Sequence, residues 1–248
     1  MNRLYFAPVS KNNPVDVPTE LQSVKTNLYE EPLEQWSPYV NFEATVRRPV
    51  CGSRIGLPLK YDAVPVWGIT PSTAEGYWPP AKGDHVIFYT GSGRYPFIGR
   101  IDRVDIEKRL AADLWPHYQL AKSRGSDISS SVPWSHLIYF DVVWQADIPE
   151  EKLRALRNTT DDTLYRFSRV PENRQKRLSI PLGDWKGEVD NVVIYRQRKT
   201  RRKLTQLANQ SYDEDRMLSV ALKPTGVSPQ ELSPRARENI LACLSNLY

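Results

Sequence analysis

Two β-rich runs, His85–Thr90 and Phe97–Val104, flank the tetrapeptide Gly91-Ser92-Gly93-Arg94. A Gly-x-Gly turn between runs rich in β-branched and aromatic residues predicts a β-hairpin, because glycine reaches the positive φ that tight turns require. A third run of the same character, Leu137–Val143, ends on Trp144, and a fourth, Arg3–Val9, opens the chain. An isolated hairpin is marginal in water, so these strands are expected to share one apolar face. The expectation is a strongly curved sheet or barrel holding Arg3–Val9, His85–Thr90, Phe97–Val104 and Leu137–Trp144.

Two tryptophans stand where this pattern meets polar turns. Trp67 ends an apolar approach from Val64 and is followed by Gly68 and the turn-prone Thr70-Pro71-Ser72. Trp144 precedes the polar Gln145 and Asp147. Aromatic side chains at strand ends beside polar turns read as pocket walls; packing in the barrel core is the alternative.

The rest of the chain is less regular. Ser10–Pro18 is a proline-punctuated loop, and Leu21–Ala63 is interrupted by Pro32, Pro38, Pro49 and Pro58. Residues 19–63 therefore read as a long insertion with short strands, of which Asn41–Val46 is the best. Arg47, Arg48 and Arg54 offer it as a nucleic-acid-facing flap, with a structural role equally open. Ile106–Leu114 reads as a helix stopped near Pro116, and Asp147 as the cap of a short helix through Leu156. Leu164–Val170 and Leu178–Ile180 read as short closing strands. From residue 183 the pattern turns helical, over Asp190–Ala208 and then over a terminal helix started by Ser233-Pro234. Ile240, Leu241, Leu244 and Leu247 make one apolar stripe on that helix, which must pack on the barrel, another subunit or a partner.

Taken in order, Trp67 with Ile69-Thr70-Pro71, VIFYTGSGRYPFIGRI, FDVVW and DIPEEKLRAL resemble the YTH domain, a reader of methylated adenine. The resemblance covers residues 3–9 and 64–182. It implies an α+β chain with a PUA-like (YTH/EVE) curved β-barrel flanked by helices. Residues 1–182 would form the modified-base-binding domain, interrupted by the insertion at 19–63, and 183–248 a helical C-terminal extension. In that family two tryptophans wall an aromatic cage around the base; the matching positions are Trp67 and Trp144. Trp78, Trp134 and Ile148 are the options for a third wall, and packing explains each equally well. Asn12 and Asn13, with Thr70 and Ser72, would hydrogen-bond the base edge. Eukaryotic members read RNA, while prokaryotic relatives give specificity to modification-dependent restriction and read DNA. The lack of long low-complexity flanks favours the second setting, with an effector nuclease or NTPase subunit as partner.

The physics of such a cage is simple. Unstacking a base costs a few kcal/mol, and aromatic faces return much of it. A methyl group adds about 0.8 kcal/mol by burial and removes a donor that an apolar wall leaves unsatisfied. Methyladenine is neutral, so stacking carries the preference rather than cation–π attraction. N6-methyladenine is the favoured ligand, with 5-methylcytosine also allowed.

Charge points the same way. The formal net charge is +5, and the pI lies near 9.1. Basic residues cluster over Arg166–Arg177 and over Arg196–Lys203. Arg94, Arg174, Lys176 and Arg177 are the expected phosphate contacts, which supply most nucleic-acid affinity without reading sequence. Asp84, His85, Asp102, Asp105 and His117 include acid–base types, but their spacing matches no nuclease, triad or metal site. The GSGR turn lacks the Lys-Ser/Thr pair and following helix of a phosphate loop. The chain therefore reads as non-enzymatic, without cofactor or metal. Cys51 and Cys243 are isolated, and neither a disulfide nor a zinc site is expected. No 18-residue apolar span or signal peptide is present, so a cytoplasmic protein without membrane contact is expected. Two other readings stay open: a PUA-like RNA-binding accessory factor that flips no base, and a specificity subunit acting through protein contacts.

Overall fold

The computed structural model describes residues 2–9, 38–57, 60–69, 74, 79–90, 94–114, 134–153, 156, 167–176, 182–210 and 213–246. Its strands are β1 (Leu4–Pro8), β2 (Val50–Cys51), β3 (Tyr61–Val64), β4 (Val66–Ile69), β5 (His85–Tyr89), β6 (Arg94–Ile106), β7 (His136–Pro149), β8 (Ser168–Arg169), β9 (Val189–Val192) and β10 (Ile194–Tyr195). Its helices are α1 (Pro38–Thr45), α2 (Gly52–Ile55), α3 (Lys108–Leu114), α4 (Glu150–Leu153), α5 (Glu172–Gln175), α6 (Arg198–Gln210), α7 (Glu214–Leu222) and α8 (Pro234–Ser245). The mixed α+β architecture agrees with the expectation at that level. None of these helices is long and apolar enough to cross a membrane.

Seven strands form the main sheet in the order β4-β7-β6-β5-β1-β8, with β9 pairing the same β7. The long β6–β7 pair is its spine, running antiparallel from Arg94↔Pro149 to Ile106↔His136. β4 pairs with the first part of β7, through Trp67↔Ile138, and β9 with a later part, through Val142↔Val192. Three register shifts interrupt β6–β7, and such bulges increase local twist and bend a sheet. β2, β3 and β10 form a second, three-stranded sheet.

Strand alternation sorts the side chains cleanly. One face of the main sheet gives Tyr5, Ala7, Val86, Phe88, Phe97, Ile101, Ile138, Phe140, Val143 and Trp67 to a single cluster. Phe42 and Val46 enter the same cluster from α1, with Phe42 centred 4.8 Å from Phe88 and 5.3 Å from Phe97. This is the inner face. The outer face is covered in sections: by Leu153 and Leu156 over β1, β5 and β6, by α3 near the start of β7, and by the C-terminal helices over β9. Close packing sets the residue at Gly99, where an added Cβ would lie 2.6 Å from Phe140 Cδ1.

Several local expectations are corrected. Asn41–Val46 lies not in a strand but in and just beyond helix α1, because Phe42 and Val46, at i and i+4, share the face that fills the inner cluster. Asp190–Ala208 is not one helix. Val189–Val192 is a strand buried at every residue, Ile194–Tyr195 a short strand with Ile194 buried and Tyr195 partly so, and the helix begins at Arg198. β6 runs on through Ile106, and β7 through Pro149 past Asp147, which delays the following helices to Lys108 and Glu150. Within Leu164–Val170 only Ser168–Arg169 is a described strand, and Leu178–Ile180 lies outside the described residues. The terminal helix does begin at Pro234, with Ser233 Oγ accepting from Ala236 N at 3.2 Å. Its Ile240 and Leu244 pack inside this chain, against residues of β9, β10 and α7.

Three segments distant in sequence meet around Arg47. Its guanidinium donates to both oxygens of the fully buried Asp190, at 3.0 and 3.2 Å, and to Glu43 at 3.0 Å. Arg235 of α8 reaches the same Glu43 at 2.7 Å, and Asn191 Nδ2 donates to Val46 O at 2.8 Å. Burial opposes the Arg47 charge, but Asp190 and Glu43 outweigh it and raise the guanidinium pKa further. Arg47 is therefore a clamp in the core rather than part of an exposed flap; Arg48 beside it is exposed. Cys51 and Cys243 add a disulfide across the same seam, against the expectation of unpaired thiols, with Cα atoms 6.0 Å apart. Their separation of 192 residues hides the pairing until α8 folds back beside β2.

Arg47→Ala is expected to lower unfolding free energy by about 3–5 kcal/mol, since it strands a buried carboxylate. Urea denaturation measures this; a loss under about 1 kcal/mol would mean that the clamp is only a surface pair.

Candidate functional site

On the outer face, where β5, β6 and β7 run past one another, polar and charged side chains are only partly buried. His85 pairs with Arg100, Arg100 with Val142, and Ile98 with Trp144. Period-two alternation puts all of these on the face opposite Phe97 and Val143. Between Arg100↔Val142 and Ile101↔Phe140 the register shifts, leaving Asp141 as an extra residue on β7. That bulge aims the Asp141 carboxylate at Arg100, whose Nε donates to both its oxygens at 3.0 and 2.9 Å.

Trp144 is partly buried, on a part of β7 that pairs with β6 through Ile98 and with β9 through Val189. It packs against the C-terminal cluster and against the cluster of Ile98 and Ile148. The Lys186 ammonium lies 3.9 Å from the ring centroid and the Arg100 guanidinium 5.7 Å. Lys186 is carried there by a segment docked on β7, with Gly187 N donating to Gln145 O at 2.6 Å and Gln145 N to Glu188 O at 2.8 Å. Gly187 is required by that approach, because a Cβ would fall 2.9 Å from Gln145 O. Burial, then repulsion from Arg100, lowers the Lys186 pKa. His85 is pushed down to about 4 by burial and then by Lys186 and Arg100, so it is neutral at pH 7.

A second cationic group lies farther along the same face. Asp102, 3% exposed, accepts from Tyr61 Oη, from Lys82 Nζ at 2.9 Å and from Lys60 Nζ at 3.3 Å. Burial pushes this carboxyl up, but Tyr61, Lys82 and Lys60 more than reverse that and hold it below its ordinary value. Tyr195 ties the two groups electrostatically: burial, then Asp102 and Asp141, push its hydroxyl up to about 12. Four cations, Lys60, Lys82, Arg100 and Lys186, thus stand over two carboxylates, Asp102 and Asp141. The result is a net positive, solvent-facing strip with an aromatic ring at one end.

The residues singled out in the sequence fall in different places. Trp67 is 8% exposed in the inner cluster, edge-on to Phe88 with centroids 6.0 Å apart. Trp144 belongs to the outer face, so the structure does not bring the two indoles together. Ile148 is buried beneath the outer face, and Trp134 is half-buried against the cluster of Tyr61 and Tyr139. Arg174 and Lys176 lie on and just after α5, with Lys176 paired to Glu172 at 3.3 Å. Trp78, Asn12, Asn13, Thr70, Ser72 and Arg177 lie outside the described residues, as does the Arg94 side chain. Arg100, Lys186, Lys60 and Lys82 were missed by motif reading. Strict alternation would have put Arg100 on the face opposite Phe97; that Trp144 shares that face depends on the β7 bulge at Asp141. Among the described residues no group of three His, Cys, Asp or Glu is placed to hold a metal ion.

No family model matches the chain, and no curated relative does. Among solved structures it is similar to the N-terminal domain of Thermococcus gammatolerans McrB bound to m5C DNA. The identity is 17%, over 74% of this chain and 98% of that one, with a TM-score of 0.45.

Two outcomes follow from these positions. Trp67→Ala should lower stability by about 3–5 kcal/mol, as loss of a packed core indole does, and thermal unfolding reads this directly. A near-wild-type melting curve would contradict its place in the inner cluster. For His85, the folded pKa of about 4 lies below the ordinary 6.5, so the unfolded chain binds more protons between those values. The His85 penalty is absent above pH 6.5 and grows as pH falls towards 4. His85→Gln should flatten the fall of stability across that window; an unchanged slope would place the acid sensitivity elsewhere.

Proposed function

We propose that this chain is a reader of modified DNA that lays a methylated base, turned out of its stack, on Trp144. The observation that carries the reading is the Trp144 ring at the end of a net cationic strip, flanked by Lys186 and Arg100. Nucleic-acid affinity comes from phosphate neutralisation, and a side-chain ring supplies a stacking platform for any base. Lys186 covers the ring now, so a base must displace it. Giving up that cation–π contact costs about 0.5–1 kcal/mol. Stacking a base returns about 1–3 kcal/mol, and the freed ammonium can meet a phosphate. Stacking wins.

The favoured base is N6-methyladenine, because its methyl group adds apolar contact to the stack and loses a donor that the ring cannot satisfy. A place in modification-dependent restriction, alongside an effector nuclease or NTPase, is part of the proposal and rests on the sequence resemblance. A second reading, a PUA-like nucleic-acid binder that flips no base, is favoured by one observation: Trp67 and Trp144 occupy opposite faces.

Titration with short oligonucleotides separates them. The panel carries N6-methyladenine, 5-methylcytosine or no modification, in DNA and in RNA. The reader reading predicts a preference for a methylated DNA strand that Trp144→Ala reduces by about 1–3 kcal/mol, measured at a temperature where circular dichroism shows the variant folded, since the same indole also packs on two apolar clusters. Equal affinity for methylated and plain strands would favour the second reading. No binding to any strand would end both.

A further inference from the structure

Helix α6 has two faces of opposite character. Thr200, Leu204 and Leu207, at i, i+4 and i+7, are buried, and the two leucines belong to the cluster that holds Met217, Leu218 and Ile240. Arg198, Arg201, Arg202 and Thr205, at i, i+3, i+4 and i+7, form a second stripe and, with Arg196, line a cleft of about 420 Å³. Arg196 is committed to Asp62, with Nε 2.8 Å from Oδ1. No carboxylate among the described residues pairs with Arg198, Arg201 or Arg202. Thr205 turns back on the helix and donates to Arg201 O at 3.0 Å, so it competes for none of them.

Three unneutralised guanidiniums on one helix face repel one another and weaken the helix. Packing does not demand them either, since the buried stripe is elsewhere. An anion in the cleft removes the repulsion, and guanidinium is the side chain best matched to phosphate oxygens. Arg198 and Arg202 are four residues apart, about 6 Å along the helix axis. That spacing suits successive phosphates of one strand better than a single small anion.

The cleft also continues the strip already described. Arg196 N donates to Lys60 O at 2.7 Å, and Lys60 shares Asp102 with Lys82. Tyr195 interacts electrostatically with Asp102 and with the Asp141–Arg100 pair, and that Arg100 guanidinium lies 5.7 Å from the Trp144 ring centroid. We infer that the Arg198–Arg201–Arg202 cleft is a backbone-phosphate site, which holds the strand flanking the base that stacks on Trp144. It rests on the reader reading for its ligand, and deepens it by separating anchoring from recognition. Anchoring at α6 is blind to methylation; recognition at Trp144 is not.

The test uses the full chain carrying R198Q, R201Q and R202Q together, beside wild type, Trp144→Ala and a control carrying K199Q and K203Q. Lys199 and Lys203 are exposed on the same helix but do not line the cleft. Fluorescence anisotropy follows methylated and unmethylated DNA across a salt series, with a polyglutamate peptide as a third probe. The triple variant is expected to lose roughly 10- to 100-fold in affinity for both DNAs. Its log–log salt slope should fall by about 2–3, with the methylated-to-plain ratio unchanged. The lysine control should change the affinity much less, and circular dichroism should show every variant folded. Wild-type affinity and salt slope in the triple variant, with DNA binding intact, overturn the cleft but leave the reader standing. A triple variant that loses methyl preference instead of common affinity overturns the division between anchoring and recognition. Wild type that binds polyglutamate and no DNA, with that binding lost in the triple variant, overturns both readings and makes the cleft a dock for acidic peptide.

Discussion

The buried pair of Arg47 and Asp190 joins parts of the chain that no local preference would bring together. Arg47 follows α1, and Asp190 sits in β9 on the edge of β7; Glu43 then links the same guanidinium to Arg235 in α8. With that clamp set, Phe42 and Val46 are held in the inner cluster, and the sheet is filled rather than hollow. Such a pair adds little net stability over an apolar substitute, because desolvation opposes the Coulomb gain. Its effect is on specificity: with one partner misplaced the other is a buried, unpaired charge. The disulfide of Cys51 and Cys243 crosses the same seam and restricts the unfolded chain over a loop of 192 residues.

Filling the inner face decides where a ligand can act. Apolar side chains from five strands and α1 meet there, and Gly99 lets Phe140 lie directly on the backbone of β6. The outer face is different, because helices cover it only in sections. In the gap, Arg100, Lys186 and Trp144 are only partly buried, and the β7 bulge turns Asp141 to hold Arg100 in place. Cations over an indole in such a gap are cheap to displace and ready to meet phosphate. Among the described residues, cations and a partly exposed indole come together on the outer face.

Much of the sheet was legible in the sequence because its signals are local. Glycines around Ser92 and alternation in Phe97–Val104 and Leu137–Val143 point to strands that the structure pairs as β5, β6 and β7. The α1 helix was not legible, since Asn41–Val46 carries apolar residues whose spacing fits a strand as well as one helical face. The disulfide was not, because sequence separation says nothing of distance once α8 folds back. The tryptophans show the limit most clearly. Both end apolar runs beside polar turns, yet face parity against neighbouring strands puts Trp67 inside and Trp144 outside. That parity depends on the bulge at Asp141, which no pattern of residue types announces. Arg100 was within reach, by counting alternate positions from Phe97.

The central claim is that Trp144 on the outer face meets the base while Trp67 is structural. Fluorine NMR of the protein grown with fluorotryptophan tests this directly, with the two resonances assigned through Trp67→Phe and Trp144→Phe. Addition of a methylated DNA strand should shift the Trp144 resonance and leave that of Trp67 where it was. A shift at Trp67 with none at Trp144 would contradict the account and move the binding surface to the inner face of the sheet.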